Sequence, residues 1–445
     1  MSKFLFITIS SLLFASILLA TPSHEAARET ARQFLKDFRN NDAEAMQSRF
    51  NETVKQQLPI EQTAQIWGQI TSLFGKFLNQ GEILSSDYNG FVICSSLLSF
   101  ENGLLEAKIT IDKDNLISGF FISPKEREED YIPPKYADTT QFAEIRVRFG
   151  EEPFILNGAI SLPKSQQPSP AVVLIHGSGP HDMDESIGPN KPFKDIAWGL
   201  ASNGIAVFRF NKRTKQYPEK MMEIFNDADV YDEVIYDAVY AVNLLIENAA
   251  LYNIDVNKIY VLGHSLGGTL VPRIAREQKA IAGIISLAGM SRKLENTLLD
   301  QYNYLFSLDG EIDDEEKAKI EELKIQIDRM LSPNLSKDTP SDSLPLSMPA
   351  KYWMTFKGIN PAKEASELDT RILIMQGARD YQVTLQDFDI WKNALKNHKK
   401  ADFLLYEDLN HLLQTGEGKS KPDEYYRPTK VDERVVEDII KWIKK

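Results

Sequence analysis

The sequence predicts an α/β protein in which a mostly parallel, helix-covered sheet is preceded by a small α+β domain. The main observation is that strand-length apolar runs alternate with helical patterns from residue 136 onward, which is typical of parallel sheets. The run 171–176 is apolar up to its final histidine, as in a strand buried on both faces. Before residue 125, helical patterns come first and short strands follow, which favours a separate α+β unit.

The composition is that of an ordinary globular enzyme or binding protein. The 445 residues suffice for two domains, with 42% hydrophobic and 26% charged residues. The net charge of −13 would repel phosphate backbones, so nucleic acid is not expected as a partner. Cys94 is the single cysteine and lies in an apolar run, which predicts a buried thiol and excludes an intrachain disulfide.

Residues 1–20 have the features of a secretory signal peptide. Lys3 supplies a positive charge, residues 4–20 are apolar, and Thr21-Pro22-Ser23 follows as a polar break. We therefore expect export to the periplasm or beyond, with an uncleaved membrane anchor as the alternative. Elsewhere no stretch reaches the 18 or more apolar residues of a membrane span, so no stable membrane insertion is expected after cleavage.

The small domain is predicted over residues 21–124. The apolar spacing predicts a helix over 24–50 and another over 66–77. Short strands are then expected at 90–95, 104–111 and 116–122. The charged, proline-bearing segment 125–135 is predicted to be a linker, and the catalytic domain to occupy residues 136–445.

The larger domain is predicted to open with an antiparallel strand pair and to continue as alternating strands and helices. The expected strands are 142–149, 154–162, 171–176, 205–210, 258–262, 282–288, 371–376 and 401–406. The expected helices are 193–203, 230–247, 268–277, 385–397 and 432–445. Residues 290–351 interrupt this alternation with an acidic helical stretch and a Ser/Pro-rich segment. Because the insertion follows a strand of the sheet, we expect a helical cap over the edge where ligands bind, or else a surface excursion.

The pentapeptide Gly263-His264-Ser265-Leu266-Gly267 is the most informative motif. It follows an apolar strand pattern and precedes a helical one, which is the context of a nucleophile elbow. Such a turn exposes the serine hydroxyl, and the flanking glycines leave room for the strand and helix to approach. Ser265 is therefore the predicted nucleophile.

A serine hydroxyl needs a base and an acid that orients the base. Of the six histidines, His411 is the best candidate for the base, because it alone lies in a loop after a late strand; the others are His24, His176, His181, His264 and His398. Asp380 is the predicted acid, because it lies in the loop after the preceding strand. Asp369, Asp387 and Asp408 are the alternatives to Asp380, although each is more simply interpreted as a surface or helix-capping carboxylate. The chain order Ser, Asp, His is that of α/β hydrolases.

The tetrahedral intermediate of such a reaction needs two preorganised amide donors. The amide of Leu266, immediately after the nucleophile, is the first predicted donor. The second is expected in the loop after strand 171–176, at the amide of Ser178, with Gly179 as the alternative and a simple strand-end turn as the contrary interpretation.

Two further clusters of side chains are candidates for substrate or metal binding at the site. Tyr352 and Trp353 follow the predicted cap and could line an acyl pocket, although packing in the core is an equal alternative. Asp182, Asp184 and Glu185 could suggest a divalent ion, but capping of the loop is the favoured interpretation. The mechanism requires no metal and no other cofactor, and none is expected.

At these residues the sequence resembles bacterial serine α/β hydrolases of the dienelactone hydrolase and prolyl oligopeptidase-like group. The resemblance rests on HGSGPHDMDE, GPNKPF, FNKR, GHSLGG, QGARDYQV and DLNHL. The N-terminal part resembles the nuclear-transport-factor-like domain of unknown function that precedes such hydrolases. The resemblance implies an α/β-hydrolase fold. Relatives often carry Arg in place of Met183 and Asp in place of Asn211, positions that the resemblance suggests are salt-bridge sites.

The predicted function is hydrolysis of carboxylic esters through an acyl-enzyme intermediate, on a small-molecule ester or a short peptide. A serine exopeptidase on the same triad is the first alternative, although the acidic region 311–322 contains no recognisable amine-binding motif. A non-catalytic binding protein on a hydrolase scaffold is the second alternative, which the presence of all three triad residue types disfavours.

Overall fold

The computed structural model describes residues 23–88, 90–101, 103–125 and 131–445. The predicted signal peptide lies outside these residues. The chain divides into two compact units, with the boundary between Ile132 and Pro133. This boundary falls within the predicted linker 125–135, of which 126–130 lie outside the described residues.

The first unit places four helices before a five-stranded antiparallel sheet. The helices are α1 His24–Arg39, α2 Ala43–Arg49, α3 Glu52–Gln57 and α4 Ile60–Phe74, and the strands are β1 Phe77–Gln80, β2 Leu84–Tyr88, β3 Phe91–Phe100, β4 Gly103–Ile111 and β5 Ile117–Pro124. β3, β4 and β5 are consecutive antiparallel neighbours, and β1 and β2 both pair with β3. The α+β order predicted for this unit is thus present.

The single helix predicted over 24–50 is wrong, because the chain breaks between α1 and α2. Asn41 adopts a left-handed conformation with φ 54°, which ends the first helix. The side chain of Asp42 then accepts a hydrogen bond from the Ala45 amide at 3.0 Å and begins the second helix. The break lets α1 pack against the sheet while α2 folds back onto α1 and α4.

Aromatic side chains fill the core of the first unit. The ring of Phe34 lies 4.7 Å from that of Phe120, and Phe38 lies 5.1 Å from Trp67, both edge to face. Cys94 is fully buried in the same core, and burial raises the pKa of its thiol to about 11. The thiol is therefore protonated and unreactive at neutral pH.

The second unit is built on an eight-stranded sheet with the order β13-β12-β11-β10-β8-β9-β7-β6. Its strands are β6 Phe142–Phe149, β7 Leu156–Pro163, β8 Ser169–Ile175, β9 Ala206–Phe210, β10 Ile254–His264, β11 Ile281–Leu287, β12 Arg371–Gly377 and β13 Ala401–Tyr406. Only β7 runs antiparallel to its neighbours, and the remaining pairs are parallel. This strand order and the elbow confirm the predicted α/β-hydrolase fold.

Helices cover both faces of this sheet. They are α5 Pro192–Ser202, α6 Arg213–Gln216, α7 Pro218–Glu223, α8 Tyr236–Glu247, α9 Ala249–Tyr252, α10 Leu266–Glu277, α15 Leu385–Ala394 and α16 Glu433–Lys444. Alternate residues of each strand point to opposite faces. Val172 and Leu174 of β8 pack with α5 and α16, whereas Val173 and Ile175 pack with α8 and α10.

The helix predicted over 230–247 begins with a turn of a different kind. Tyr231–Ile235 forms a π-helical turn, and the α-helix α8 starts only at Tyr236. Such wide turns are uncommon and are frequently found at functional sites. This turn carries Glu233, whose contacts are described below.

A helical insertion lies between β11 and β12. It contains α11 Leu294–Phe306, α12 Asp314–Leu331, α13 Ala350–Phe356 and α14 Pro361–Ser366. The predicted cap, residues 290–351, corresponds to the first part of this insertion, which continues to β12. On α14, Glu364 accepts hydrogen bonds from Arg273 of α10, so the end of the insertion is fastened to the helix that follows the elbow. Across the described ranges, no helix has the length and apolar content needed to cross a bilayer.

Candidate active site

The carboxyl ends of β8 and β10 define the site. These two strands are neighbours, but the chain continues from β8 to β9 on one side before it returns to β10 on the other. Such a reversal opens a crevice at the carboxyl edge of the sheet, where ligands bind in open α/β folds. The loop after β8 contains Ser178, and the turn after β10 contains Ser265.

Ser265 occupies a strained turn between β10 and α10. Its backbone has φ 52° and ψ −115°, an unfavourable conformation for a residue with a Cβ. The flanking glycines are required by close packing. A Cβ on Gly263 would lie 2.2 Å from the carbonyl carbon of Gly267, and one on Gly267 would lie 2.2 Å from the Ile175 oxygen. The structure therefore supplies the physical reason for the Gly-x-Ser-x-Gly spacing.

His411 and Asp380 form a buried pair. The imidazole Nδ1 of His411 donates to Oδ2 of Asp380 at 2.7 Å, and the two residues are 4% and 3% exposed. The carboxylate also accepts from the amides of Gln382 and Val383 through Oδ1, at 2.8 and 3.1 Å. Gln376, which the sequence analysis missed, donates to Oδ2 at 3.2 Å. The carboxylate is thus held in a fixed orientation toward the imidazole.

His264 connects this pair to the elbow. Its Nε2 donates to the backbone oxygen of His411 at 2.9 Å, and the two imidazole rings lie 4.7 Å apart between centroids. Because His264 immediately precedes Ser265, the contact fixes the His411 loop beside the nucleophile turn. A Cβ on Gly177 would lie 3.2 Å from the Ser265 Cβ, which places the loop after β8 against the same serine.

The remaining histidines and carboxylates have other partners. His24 lies 3.2 Å from Asp87 and His398 donates to the Leu368 oxygen at 2.8 Å. Asp369 pairs with Lys400, Asp408 pairs with Arg434, and Asp387 accepts from the amides of Ser291 and Arg292. His176 is buried, which lowers its pKa to about 3, so it is neutral at physiological pH.

The predicted oxyanion donors lie on either side of the serine. Leu266 is the first residue of α10, and Ser178 and Gly179 are exposed in the loop after β8. The backbone oxygen of Ser178 accepts from Nε2 of His181 at 2.8 Å. The backbone oxygen of Gly177 accepts from Nζ of Lys212 at 2.9 Å. The carbonyls of Gly177 and Ser178 are therefore both fixed by hydrogen bonds from side chains.

The acidic cluster after this loop serves three different structural roles. Asp182 caps the turn by accepting from the amides of Asp184 and Ser186 at 3.0 and 3.1 Å. Asp184 forms a buried ion pair with Arg209. Glu185 is fully buried, accepts from the Gly177 amide at 2.6 Å, and lies 3.0 Å from Nδ1 of His264.

Glu185 and His264 thus form a second buried carboxylate–imidazole pair beside the first. Burial alone would raise the pKa of Glu185, but the adjacent imidazole outweighs this effect and lowers the pKa to about 2. Burial alone would lower the pKa of His264, but Glu185 outweighs it and the pKa rises above its ordinary value. This buried pair therefore joins the elbow to the loop after β8. This role of Glu185 was not predicted from the sequence.

Tyr352 and Trp353 lie in the hydrophobic interior, 7% and 1% exposed, on helix α13. The hydroxyl of Tyr352 donates to Glu233 at 2.8 Å. This placement favours the packing alternative over the pocket role for both side chains.

A different aromatic cluster lies nearer the base and the acid. Tyr381 and Leu412 follow Asp380 and His411 directly and pack with Tyr425. Tyr304 of the cap helix α11 stacks on Tyr381 with ring centroids 5.1 Å apart. Helix α11 of the insertion therefore contacts the loop that carries Asp380, and a cap over the ligand-binding edge stays a prediction.

The two positions at which the sequence departs from relatives are neighbours. The side-chain oxygen of Asn211 accepts from the Met183 amide at 2.9 Å. The Sδ of Met183 in turn lies 2.8 Å from Nη1 of Arg146. Met183 and Asn211 are therefore in direct contact, without an ion pair between their side chains.

Several known proteins and protein families are similar to parts of this chain. Residues 31–120 match the protein family DUF3887, which is described as a protein of unknown function. Residues 159–395 match the protein family BD-FAE. The acylaminoacyl peptidase of Pyrococcus horikoshii is 15% identical with a TM-score of 0.44, over 75% of this chain and 52% of that chain. Est1E from Butyrivibrio proteoclasticus is 16% identical with a TM-score of 0.41, over 67% of this chain and 99% of that chain.

A curated relative matches almost the whole sequence. Esterase EstD of Thermotoga maritima is 37% identical over 436 residues, which are 97% of this chain and 99% of the relative. The BD-FAE match covers just over half of the chain. The chain therefore belongs to the α/β-hydrolase enzyme family that includes Esterase EstD, with a BD-FAE hydrolase domain preceded by a DUF3887 domain.

Proposed function

We propose that the protein is an exported serine esterase in which Ser265, His411 and Asp380 form the catalytic triad. The observation that carries the proposal is the buried His411–Asp380 pair, held through His264 beside the strained Ser265 turn. The 37% identity to an esterase over nearly the full length supports an ester as the substrate class.

In the proposed reaction, His411 accepts the proton of the Ser265 hydroxyl as the serine oxygen attacks the ester carbonyl. Asp380 keeps Nδ1 of the imidazole protonated, so that Nε2 is free to act as the base. The negative charge formed on the carbonyl oxygen is stabilised by the amides of Leu266 and Ser178. The imidazolium then protonates the departing alcohol. Water, activated by the same imidazole, hydrolyses the acyl-enzyme and restores the serine.

The acidic stretch of the cap does not favour the exopeptidase alternative. Asp314, Glu315 and Glu321 pair with lysines of the same helix, α12, and are exposed. A free α-amine would instead need carboxylates directed toward the nucleophile. The comparison of ester and anilide substrates described below decides between the two activities.

The test combines a substrate panel with a labelling experiment. Wild type is assayed on p-nitrophenyl esters of increasing acyl length and on aminoacyl p-nitroanilides, beside Ser265→Ala and His411→Ala. Each substitution should lower kcat by roughly 10⁴-fold or more, because triad members act as a unit. A fluorophosphonate should label Ser265 alone. Ester turnover retained in Ser265→Ala, or labelling at another serine, would disprove the assignment, and faster turnover of anilides would favour the peptidase.

Export rests on the pattern of residues 1–20, and the proposed cleavage follows Ala20. Expression of the full sequence with a C-terminal tag and N-terminal sequencing of the exported product tests it. A product that begins near Thr21 is expected, whereas retention of the whole chain in the membrane fraction would favour an uncleaved anchor.

A further inference from the structure

The peptide groups on both sides of Gly177 are held by buried charged side chains. The Gly177 amide donates to Oε1 of Glu185 at 2.6 Å, and its carbonyl accepts from Nζ of Lys212 at 2.9 Å. Glu185 and Lys212 are 0% and 2% exposed. Hydrogen bonds to charged groups are stronger than neutral ones, especially away from water. The backbone of Gly177 is therefore restrained at both of its polar atoms.

The restraint on the Gly177 carbonyl also orients the Ser178 amide. The carbonyl of Gly177 and the N–H of Ser178 belong to one trans, planar peptide group, so they point in opposite directions. An ammonium group fixed on the oxygen side therefore fixes the direction of the N–H on the other side. Without it, this glycine-containing exposed loop could rotate the peptide group and turn the amide away.

Besides its contact with the Gly177 carbonyl, Lys212 is a donor in two further polar contacts. Its Nζ forms an ion pair with Oε1 of Glu233, and its backbone amide donates to the oxygen of His181 at 3.0 Å. Glu233 lies in the π-helical turn Tyr231–Ile235, and its other carboxylate oxygen accepts from the Tyr352 hydroxyl at 2.8 Å. Burial raises the pKa of Tyr352 well above its usual value, so the phenol remains a donor. A continuous polar chain thus runs from α13 to Gly177.

We propose that Lys212 is a positioning residue that presets the Ser178 amide for the oxyanion, with Glu233 and Tyr352 holding its ammonium group. The proposal rests on the proposed esterase function, since it concerns the oxyanion hole of that site. Lys212 does not touch the substrate in this proposal and acts through the peptide group. Tyr352 and Glu233 consequently influence kcat from the interior, through their contacts with Lys212.

The alternative donor, Gly179, is oriented by a different side chain. His181 donates to the Ser178 oxygen, and this carbonyl shares its peptide group with the Gly179 amide. If Gly179 were the oxyanion donor, loss of the His181 imidazole would lower kcat, and loss of the Lys212 ammonium would have little effect. Substitutions of Lys212 and His181 therefore distinguish between Ser178 and Gly179 as the oxyanion donor.

The test is steady-state kinetics of the full mature chain on p-nitrophenyl butyrate, with active sites counted by fluorophosphonate. Lys212→Met keeps the length of the side chain and removes its charge. Its kcat per active site should fall about 10²–10³-fold, the cost of losing one oxyanion donor, while KM changes less than about 3-fold, because the donor acts mainly in the transition state. Affinity for an alkyl trifluoromethyl ketone, which forms an oxyanion on the serine, should weaken in parallel. A merely structural role would lower the melting temperature without this split between kcat and KM.

Lys351→Met is the matched control. Lys351 neighbours Tyr352 on α13 and pairs with Asp229 at 3.7 Å, but it has no hydrogen bond to the loop after β8. Its kcat should stay within about 2-fold of wild type, as for other substitutions outside the site. Tyr352→Phe, which removes one hydroxyl and keeps the ring, should lower kcat by a few-fold.

The proposal is overturned if Lys212→Met retains kcat within about 3-fold of wild type. A fall of about 10²–10³-fold in His181→Ala beside an unchanged Lys212→Met would instead identify Gly179 as the donor. If Lys212→Met does not fold, Tyr352→Phe decides, and an unchanged kcat in that variant overturns the proposal. Failure of the esterase function itself is recognised separately, because wild type would then lack labelling at Ser265.

Discussion

In the proposed triad, Asp380 does not contact Ser265 but fixes the tautomer of His411 through their hydrogen bond. The two carboxylate oxygens of Asp380 have different partners, since Oδ2 accepts from His411 and Oδ1 accepts from backbone amides. Asp380→Asn preserves the size of the side chain and can turn an NH₂ group toward Nδ1. The base would then expose a protonated Nε2 to the serine.

We expect Asp380→Asn to lower kcat by about 10³–10⁴-fold with little change in KM. The matched control is Asp408→Asn, because Asp408 is half-buried and pairs with Arg434 of α16 rather than with a histidine. Kinetics on a short-chain p-nitrophenyl ester measure both variants. If the two variants had equal activity, Asp380 would not be the orienting acid.

The Glu185–His264 pair should show a coupling free energy that depends on pH. The folded pKa of Glu185 is lowered to about 2 from 4.5, so its stabilisation is present above 4.5 and is lost as the pH falls toward 2. The folded pKa of His264 is raised from 6.5, so its stabilisation is present below 6.5 and is lost as the pH rises through the raised value. The coupling should therefore be greatest between about pH 4.5 and 6.5.

A double-mutant cycle of Glu185→Gln and His264→Gln, followed by urea unfolding, measures this coupling. Each single variant leaves one polar group buried without its partner and should cost about 3–5 kcal/mol. The double variant should cost less than the sum of the singles, by up to about 3 kcal/mol at pH 5.5. Additive effects at every pH would show that the two groups are not an ionised pair.

The sequence predicted Ser265, Asp380 and His411 as a triad, and the structure places all three in the loops that follow β10, β12 and β13. Their catalytic roles stay a prediction. Glu185 and Lys212 could not be predicted, although both lie in stretches that carried the family resemblance. Their roles depend on contacts with Gly177 and His264 that are made only after distant segments have folded together. Composition and spacing do not encode which of three neighbouring carboxylates, Asp182, Asp184 or Glu185, will face inward.

At the scale of elements, the central strands of the larger sheet, such as β8, were predictable because apolar runs buried on both faces are distinct from their surroundings. The edge strands β6 and β13 are only partly buried, and they too have the predicted bounds. In contrast, β1 and β2 were missed. They are short, contain the polar segments Asn79-Gln80 and Ser85-Ser86-Asp87, and are strands only because they pair with β3. The start of α8 was predicted as a regular helix because the sequence contains no distinct signal for a single π-helical turn.

Helices α11 and α13 of the insertion should differ in what they control. Trp353 on α13 is almost fully buried, so Trp353→Ala should lower the unfolding free energy by about 3–5 kcal/mol and leave the acyl preference unchanged. Tyr304 on α11 is half-buried and stacks on Tyr381 beside the acid. We expect Tyr304→Ala to change the ratio of kcat/KM between butyrate and octanoate esters by about 10-fold.

Thermal unfolding and the ester series are measured on the same preparations. Tyr304→Phe, which retains the stacking ring, serves as the control for the hydroxyl that donates to the Ser420 oxygen. The assignment of α11 as the cap would be wrong if Trp353→Ala shifted the chain-length preference and Tyr304→Ala did not.

At the scale of the whole molecule, every residue assigned to catalysis lies in the second unit. The first unit has its own core, formed by Phe34, Phe38 and their aromatic neighbours. The boundary between Ile132 and Pro133 separates the two units, and Ile132 is 76% exposed. Exposed segments that join compact units are the preferred sites of proteolysis.

We therefore expect limited proteolysis to cut within residues 125–135 and to release a folded fragment that begins near Pro133. The second unit contains the complete sheet, both helix layers and the insertion, so the fragment should unfold cooperatively. Turnover of p-nitrophenyl acetate should be retained within about 3-fold, because none of the assigned catalytic residues is lost. Mass spectrometry locates the cut, and kinetics per labelled Ser265 measure the activity. A fragment that unfolds cooperatively but is no longer labelled by fluorophosphonate would show that the DUF3887 domain is needed to form the active site.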